Sequence, residues 1–557
     1  MMSELNLPDR TTNGQARAAA LHPRHRPDVS STSLVNFLSH GRVLIVGAES
    51  AALDAARRLE QGLVPTLFAP SDAKPATGTV EGLTIVRGGQ PRLSGSLGGY
   101  RLSLGEPGQD DEPATVLMLS QARFDLVLDL GESPLLQQEI PPPGYYAPRG
   151  DPEALESALA ELPGMRGEFE KPKYFNYDPD ICAHGERGIK GCTRCLDVCP
   201  AWAIKSVGQR VSVDPQLCQG FGTCASVCPT GAITYAFPST GDLLGYVRTL
   251  LLGYLDAGGS DPLLIFYDNA SAEALAGELA ERLPENALPI QLEEVGSLGM
   301  DAWLTCLAYG ARRVLVLTGA DTPRSIGEVI QREIEVGAAI LEGMGYPGDV
   351  VEVLDAADVD AVAAAALSEA AVVHVRPARH TPPPEKRLLL QLAIDHLLDQ
   401  APTRRKVVPL PQGAPFGQVK VDKSACTLCM SCVAVCPTSA LRDAQGLPQL
   451  NFVEWSCIQC GMCDRACPED AVSLEPRFLY DAEERSAWRR LHEEQPICCI
   501  SCGKPFATRS MLKVMMKKLE GHWMFQTDAD RRRLEMCDTC RVKDLMVAQR
   551  SDGPGER

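Results

Sequence analysis

Eight cysteines in the last quarter of the chain form two equally spaced runs, and each run ends in proline. The runs are Cys426-x2-Cys429-x2-Cys432-x3-Cys436-Pro437 and Cys457-x2-Cys460-x2-Cys463-x3-Cys467-Pro468. Thiolates are soft donors that match iron, and the short spacers let one loop reach three corners of a small iron–sulfur cube. Zinc sites rarely use a duplicated run of this kind. The spacing therefore predicts two 4Fe-4S clusters rather than zinc.

This pattern resembles the bacterial-type dicluster ferredoxin domain. In that family, three cysteines of one run and the fourth cysteine of the other run hold each cluster. The resemblance implies two ligand sets, namely Cys426, Cys429, Cys432 and Cys467, and then Cys457, Cys460, Cys463 and Cys436. It also implies single-electron transfer without substrate chemistry of the domain's own.

An earlier cysteine block, about 240 residues upstream, repeats the pattern in altered form. It reads Cys182-x9-Cys192-x2-Cys195-x3-Cys199-Pro200, followed by Cys218-x5-Cys224-x3-Cys228-Pro229. Short apolar segments follow both prolines, as in the same ferredoxin domains. The nine-residue spacer only lengthens one loop. A third 4Fe-4S cluster is therefore expected on Cys182, Cys192, Cys195 and Cys228.

The fourth site lacks one thiolate, because Phe221 stands where the second cysteine of its run belongs. Its remaining thiols are Cys199, Cys218 and Cys224. We expect an occupied site with either a 3Fe-4S cluster or a 4Fe-4S cluster that has a non-cysteine ligand; an empty site is the alternative. His184 could supply such a ligand, although a lone histidine in a loop more often bonds to backbone or solvent.

Two further CxxC pairs, Cys499-x2-Cys502 and Cys537-x2-Cys540, lie near the C-terminus. Two chelating pairs can close a tetrahedral site of four thiolates, and the glycine after the first pair permits a tight turn beneath a metal. The pattern resembles a structural zinc ribbon and predicts zinc. An additional iron–sulfur cluster or free thiols are the alternatives, and Cys498 offers a second register.

The N-terminal region predicts a strand over 43–46, a helix over about 50–61 and a second strand over 64–68. Gly47 occupies the first position of a dinucleotide-binding GxGxxG motif, but Glu49 replaces the second glycine and would set a carboxylate against a pyrophosphate. The segment resembles a degenerate form of the flavin-binding domain of heterodisulfide reductase. Gly47 is the candidate cofactor contact, and a structural role is favoured over binding of FAD or NAD.

Between the cysteine blocks, strands near 263–267, 289–295, 313–318 and 350–354 alternate with helices near 272–283, 301–309 and 324–344. This alternation predicts a mainly parallel sheet covered by helices. Residues 263–376 resemble the delta subunit of methyl-viologen-reducing hydrogenase, whose family holds a cluster through cysteines. The single cysteine of this region, Cys306, falls inside a predicted helix and is interpreted as a small buried apolar residue.

These observations together predict a multidomain α/β and α+β protein. Its parts are a degenerate Rossmann-like domain, two ferredoxin-like dicluster domains that flank a parallel α/β domain, and a zinc-ribbon-like domain. The predicted boundaries are 1–36 (disordered), 37–150 (Rossmann-like), 165–240 (first cysteine module), 261–380 (α/β), 381–416 (helix, near 385–399, and linker), 417–480 (second cysteine module) and 490–545 (C-terminal domain).

The composition narrows the range of functions that this chain could have. A net charge of −18 without a long basic run disfavours nucleic-acid binding. The chain has no long apolar span and no signal-peptide pattern, so a cytoplasmic protein is expected. The leading hypothesis is an electron carrier with redox protein partners. Resemblance to proteins of formate dehydrogenase systems implies a molybdoenzyme partner. A flavin- or nicotinamide-linked oxidoreductase and an assembly factor for a metalloenzyme are the alternatives.

Overall fold

The structure, a computed structural model, describes residues 7–21, 33–104, 123–369, 372–445 and 447–551. These residues form a mixed α/β protein with two larger sheets that contain parallel strands. One core of buried side chains extends from the central sheet into the second cysteine module, where it includes Phe416, Phe478 and Tyr480. Within the described helices, no segment is long and apolar enough to cross a bilayer.

The N-terminal sheet has six strands, five of them mutually parallel. In spatial order the strands are Tyr145–Tyr146, Leu126–Asp129, Arg42–Val46, Val64–Ala69, Leu83–Gly89 and Ser71–Val80. Helix Glu49–Arg58 covers this sheet, and its small buried residues Ala52 and Ala55 allow close packing. The strands predicted over 43–46 and 64–68 are confirmed, and the helix ends three residues earlier than predicted.

Smaller elements complete this region. They are the sheet of strands Pro91–Ser94, Tyr100–Leu104 and Arg123–Phe124, the helix Pro152–Glu161 with the 3-10 turn Leu162–Met165, and the antiparallel pair Leu34–Ser39 with Gly167–Pro172.

The prediction that residues 1–36 are disordered is wrong where this segment is described. Helix Thr12–Ala20 is capped by Thr11, whose side chain accepts a hydrogen bond from the Gly14 N–H at 3.3 Å. The helix packs against helix Thr240–Asp256, and Arg17 donates to the Ala287 carbonyl at 3.4 Å. These contacts join distant parts of the chain, so local periodicity does not reveal them. Residues 1–6 and 22–32 lie outside the described part.

The central sheet is parallel throughout, as predicted. Its strands in spatial order are Ala287–Gln291, Leu263–Tyr267, Arg313–Thr318 and Val351–Asp355. The first of these begins two residues before the predicted strand and ends four residues before its predicted end, because the chain then enters the 3-10 turn Val295–Ser297.

Helices cover both faces of this sheet. Their bounds are Thr240–Asp256, Asn269–Ala274, the π-helical turn Leu275–Leu279, Ala280–Arg282, Met300–Ala308, Arg324–Gly343, Val359–Leu367 and Lys386–Asp399. Those predicted over 301–309, 324–344 and 385–399 are confirmed within one residue at each end. The helix predicted over 272–283 is instead interrupted at Gly277, where the backbone leaves helical geometry. Cys306 is fully buried in the core, as predicted.

Each cysteine module consists of short strand pairs and one-turn helices. In the first module the strand pairs are Phe175–Tyr177 with Ile233–Tyr235, Gly185–Glu186 with Ile189–Lys190, and Ile204–Val207 with Arg210–Val213. The helices of this module are Arg194–Asp197 and Thr223–Ser226, and a 3-10 turn covers Pro179–Ile181. In the second module Val472–Leu479 pairs with Gly417–Val421 and Val407–Pro409, Leu441–Ala444 pairs with Leu447–Phe452, and the helices are Ser431–Ala434 and Met462–Arg465.

The C-terminal domain is attached to the second module through strand Arg489–Glu493, which pairs with Leu447–Phe452. Its remaining elements are helix Ala482–Ser486, the hairpin Pro496–Cys498 with Pro505–Thr508, helices Arg509–Lys518, Asp528–Arg533 and Asp538–Ser551, and the 3-10 turn Trp523–Phe525.

Candidate metal centres

The two cysteine runs of the second module fold into equivalent loops. Leu428 and Gln459 sit two residues after the first cysteine of each run, with φ of 56° and 55°. Met430 and Gly461 sit two residues further on, with φ of 60° and 79°. Left-handed backbone is uncommon outside glycine, and here it turns each loop tightly enough for its cysteines to converge. This repetition explains why the two-residue spacing matters.

The structure brings together the eight thiols in the predicted two sets. Burial, together with the neighbouring Cys426, Cys429 and Cys467, raises the pKa of Cys432 to about 12. Burial likewise raises the pKa of Cys463, with added effects from Cys457, Cys460 and Cys436. Each fourth cysteine therefore faces the other run. Without a metal, these cysteines favour the protonated form, because buried thiolates would repel one another. A bound metal centre shares the negative charge and so stabilises them as thiolates.

The surroundings of these thiols fit an iron–sulfur cluster. The Ala471 N–H donates to Cys467 Sγ at 3.2 Å, and Gln459 Nε2 donates to Cys457 Sγ at 3.3 Å. Donors aimed at sulfur stabilise the thiolate and tune the potential of a bound cluster. Apolar side chains, among them Leu441 and Phe452, pack around the cysteines. Soft donors in a largely apolar pocket are what such clusters require.

The first module also brings together the predicted set of four thiols. Burial, together with the neighbouring Cys192, Cys228 and Cys182, raises the pKa of Cys195 to about 12. The nine-residue spacer forms the hairpin Gly185–Glu186 with Ile189–Lys190, so the extra length does not separate the thiols. The Ile233 N–H approaches Cys228 Sγ at 3.5 Å. This pocket therefore fits a cluster in the same way as those of the second module.

The three-thiol site keeps its cysteines together. Burial raises the pKa of Cys224, and Cys218 and Cys199 are the first thiols that add to the increase. Phe221 packs against the central core, and a Cβ on Gly296 would lie 2.4 Å from its carbonyl oxygen. Close contact with the turn Val295–Ser297 thus holds the position that lacks a cysteine.

His184 is not placed as a free ligand. It is buried, with Nδ1 at 2.9 Å from the Cys192 carbonyl oxygen and Nε2 at 2.7 Å from Ser206 Oγ. Both ring nitrogens therefore have protein partners, which agrees with the structural interpretation of this residue.

The four C-terminal thiols form a compact group. The Sγ atoms of Cys499, Cys502, Cys537 and Cys540 all lie within 4.8 Å of one another. The Sγ atoms of Cys502 and Cys537 are 3.7 Å apart. This distance is close to the ~3.8 Å between sulfurs that a tetrahedral zinc ion with Zn–S bonds of ~2.3 Å requires. Cys498 is exposed and lies outside this group. The geometry therefore selects the register that starts at Cys499.

The electrostatics at Cys499 also suit a metal. Although burial opposes ionisation, backbone N–H groups of Cys537, Cys502 and Ser501 lower the pKa of Cys499 to about 6. Gly503 has a φ of 73°, which provides the tight turn expected after the first pair. The residues fit a four-thiolate zinc site.

Gly47 has a structural reason for being glycine. Its φ is 154°, and a Cβ there would lie 2.9 Å from the Cβ of Leu130. The carboxylate of Glu49 accepts two hydrogen bonds of 2.6 Å from Arg87 rather than facing an open loop. These contacts favour the structural role over dinucleotide binding.

Sequence reasoning missed the surroundings of the second module's inner thiols. Arg387, on helix Lys386–Asp399, lies 4.6 Å from the ring centroid of Trp455 and 5.0 Å from that of Phe416. It donates to the Trp455 carbonyl, two residues before Cys457. Trp455 beside a cysteine run was a visible signal, whereas Arg387 is 70 residues from Cys457 and had none.

Comparison with known proteins identifies both cysteine modules. The family model described as a 4Fe-4S dicluster domain matches residues 418–468. The model described as the LdpA Fe-S cluster-binding domain matches residues 190–237. The first match contains all eight cysteines of the second module, and the other contains six cysteines of the first module, from Cys192 to Cys228.

Several curated proteins are similar to parts of this chain. A ferredoxin of Pyrobaculum islandicum is 31% identical over 78 residues, which cover 14% of this chain and 71% of that protein. An uncharacterized ferredoxin of Methanocaldococcus jannaschii is 34% identical over 83 residues, 14% of this chain and 43% of the relative. The ferredoxin-type protein NapF of Escherichia coli K12 is 36% identical over 59 residues, 10% of this chain and 36% of the relative. The chain thus spans about two fifths of the length of these last two relatives.

Proposed function

Because this chain belongs to the ferredoxin-type family of iron–sulfur electron carriers, we propose that it moves single electrons between a redox donor and a partner oxidoreductase. The observation that carries this proposal is the convergence of eight thiols, four of them buried, into two sets within the segment that matches a dicluster domain. Such clusters accept and release one electron each. The chain supplies the thiolates, the donors to sulfur and the apolar surroundings.

Four iron–sulfur sites follow from the thiol sets. Three four-cysteine sets suit 4Fe-4S clusters, and the Cys199, Cys218 and Cys224 set suits a 3Fe-4S cluster or a 4Fe-4S cluster with a non-cysteine ligand. The C-terminal thiols suit a structural zinc ion, which would hold the hairpin to helix Asp538–Ser551. In this proposal zinc shapes the C-terminal domain and takes no part in electron transfer.

The remaining domains serve as a scaffold in this proposal. The parallel sheets are compatible with the resemblance of the N-terminal domain to the flavin-binding domain of heterodisulfide reductase, and with that of the central domain to the hydrogenase delta subunit. The partner that the resemblance implies is a formate dehydrogenase-type molybdoenzyme in the cytoplasm. Reconstituted electron flow between the two purified proteins tests this pairing, and absence of flow with loaded clusters would exclude it.

A redox titration followed by electron paramagnetic resonance tests the electron-carrier proposal. Anaerobically purified protein should show low-potential signals from the four-cysteine sites and a separable high-potential signal from the three-thiol site. Reduced protein should return one electron per cluster to a one-electron acceptor. Clusters that load but cannot be reduced and reoxidised would contradict electron transfer.

A variant tests the three-thiol site directly. Phe221→Cys restores the missing ligand position, so the high-potential signal should be replaced by a low-potential one. Four identical low-potential signals in the unaltered protein would contradict the proposed deficiency of this site.

A further inference from the structure

The two cysteine modules lie against each other although about 240 residues separate them in the chain. Gly191, next to Cys192, packs on Met462, which lies between Cys460 and Cys463. A Cβ on Gly191 would be 2.9 Å from both Cγ and Cε of Met462. The loops that carry the thiols of the two modules are therefore in van der Waals contact.

A hydrogen bond fixes this contact. Arg465, at the end of helix Met462–Arg465, donates to the carbonyl oxygen of Lys190. Lys190 belongs to the hairpin that the nine-residue spacer forms in the first module. The spacer is absent from the second module, and here it reaches across to the neighbouring loop. The additional residues thus have a use beyond closing their own loop.

The contact between Gly191 and Met462 is tightly packed. A Cβ on Gly191 would lie 2.5 Å from the carbonyl oxygen of Ala183, in addition to its clash with Met462. Any larger residue would push the two loops apart. Arg194, one turn after Gly191, ties the same module to the Gly413 carbonyl in the segment that leads to the second module. The relative position of the modules is therefore set by several contacts.

The four thiol sets follow one another through the molecule. Within the first module, helix Arg194–Asp197, which carries Cys195, contacts helix Thr223–Ser226, which carries Cys224 of the three-thiol site. Within the second, helix Ser431–Ala434, which carries Cys432, contacts helix Met462–Arg465, which carries Cys463 of the other set. Across the junction, helix Met462–Arg465 contacts strand Ile189–Lys190, which leads to Cys192. The order is the three-thiol site, the Cys182 set, the Cys457 set and the Cys426 set.

From this arrangement we propose that the two modules form a single electron path, joined where the loops of Cys192 and Cys460 meet around Gly191, Met462 and Arg465. The inference rests on the proposed function. Each step moves one electron from one site to the next, and no bond is made or broken. A one-electron donor reduces one end of the path, and a one-electron acceptor oxidises the other end.

Removal of one site at a time tests the path through the spin relaxation of the first module's signal, which is assigned by its loss in Cys195→Ser. Cys460→Ala removes a ligand beside the junction, so the signal should relax more slowly and saturate at lower microwave power. Cys429→Ala is the matched control, since it alters the same position of the other run, at the far end of the path. Equal effects, or no effect from either variant, would overturn the proposal.

A second pair of variants keeps the test valid should a cysteine variant fail to fold. Arg465→Glu removes the hydrogen bond to Lys190 and sets a carboxylate against that carbonyl, so electron exchange between the modules should slow. Arg490→Glu makes the same charge change on an exposed strand of the C-terminal domain and should leave the rate unchanged. An equal rate in both variants would contradict the junction. Iron and sulfide analysis separates the outcomes, because unloaded protein contradicts the proposed function itself.

Discussion

Arg387 is expected to raise the reduction potential of the Cys457 set. Desolvation lowers the pKa of this guanidinium to about 10, so it remains charged at neutral pH, and Cys457 is the largest opposing influence. Reduction adds a negative charge to a bound cluster, which a nearby cation stabilises. Replacement of Arg387 by methionine keeps an apolar side chain of similar length between the two aromatic rings and removes the charge.

The size of the effect follows from the contact with the Trp455 carbonyl. One hydrogen bond and two residues place the charge on the order of 7 Å from Cys457. At an effective dielectric constant of ~20, this separation corresponds to about 2 kcal/mol. Since ~2.3 kcal/mol corresponds to ~100 mV for one charge, the potential should fall by about 100 mV.

A potentiometric titration monitored by electron paramagnetic resonance measures this shift. Arg387→Met should lower the potential of the Cys457 set, with a smaller change at the Cys426 set, which is farther from Arg387. Arg387→Lys is the control, since it keeps a positive charge at the same position. The reasoning is refuted if the methionine variant shows no shift with intact clusters, or if both variants shift the potential equally.

Three more predictions concern zinc, packing and pH. Cys537→Ala should release zinc and make the C-terminal domain sensitive to protease, whereas Cys498→Ala should keep both zinc and resistance; metal analysis and limited proteolysis decide. Gly337→Ala should destabilise the protein by about 1–3 kcal/mol, because the added methyl would lie 1.9 Å from the buried indole of Trp303. Gly327→Ala, in open space on the same helix, should stabilise the protein by about 0.5–1 kcal/mol. Denaturant unfolding that ranks the two variants otherwise contradicts this prediction. Burial raises the pKa of Glu294 to about 8, so the folded protein keeps a proton that the unfolded chain releases near the ordinary pKa of 4.5. The stability of the folded protein should therefore fall as pH rises between these two values. Glu294→Gln should flatten this dependence of the unfolding temperature on pH.

The sequence predicts the structure best where the chemistry of a site fixes the spacing of its residues, as in the cysteine runs. Within each run, the convergence of the first three cysteines follows from a short local loop, so the spacing alone groups them. The fourth cysteine of each set comes from the other run, and the resemblance to dicluster ferredoxin domains assigns it. The parallel central sheet is also predictable, because buried strands alternate with long helices such as Arg324–Gly343. Both depend on patterns that a short window of sequence contains.

Long-range packing explains what the sequence does not reveal. Helix Thr12–Ala20 is ordered by partners more than 200 residues away, and its own composition is polar enough to resemble a disordered segment. The end of strand Ala287–Gln291 is set by the turn that supports Phe221. The contact of Gly191 with Met462 joins two modules whose spacing carries no information about their neighbours.

Elemental and spectroscopic analysis of protein purified without oxygen tests the central claim most directly. The account predicts iron and sulfide in nearly equal amounts, sufficient for the three four-cysteine sites and the three-thiol site, together with zinc at the C-terminal thiols. The iron should give cluster signals that appear and vanish with potential. Colourless protein with zinc, and no iron, at the thiols of both cysteine modules would contradict the account.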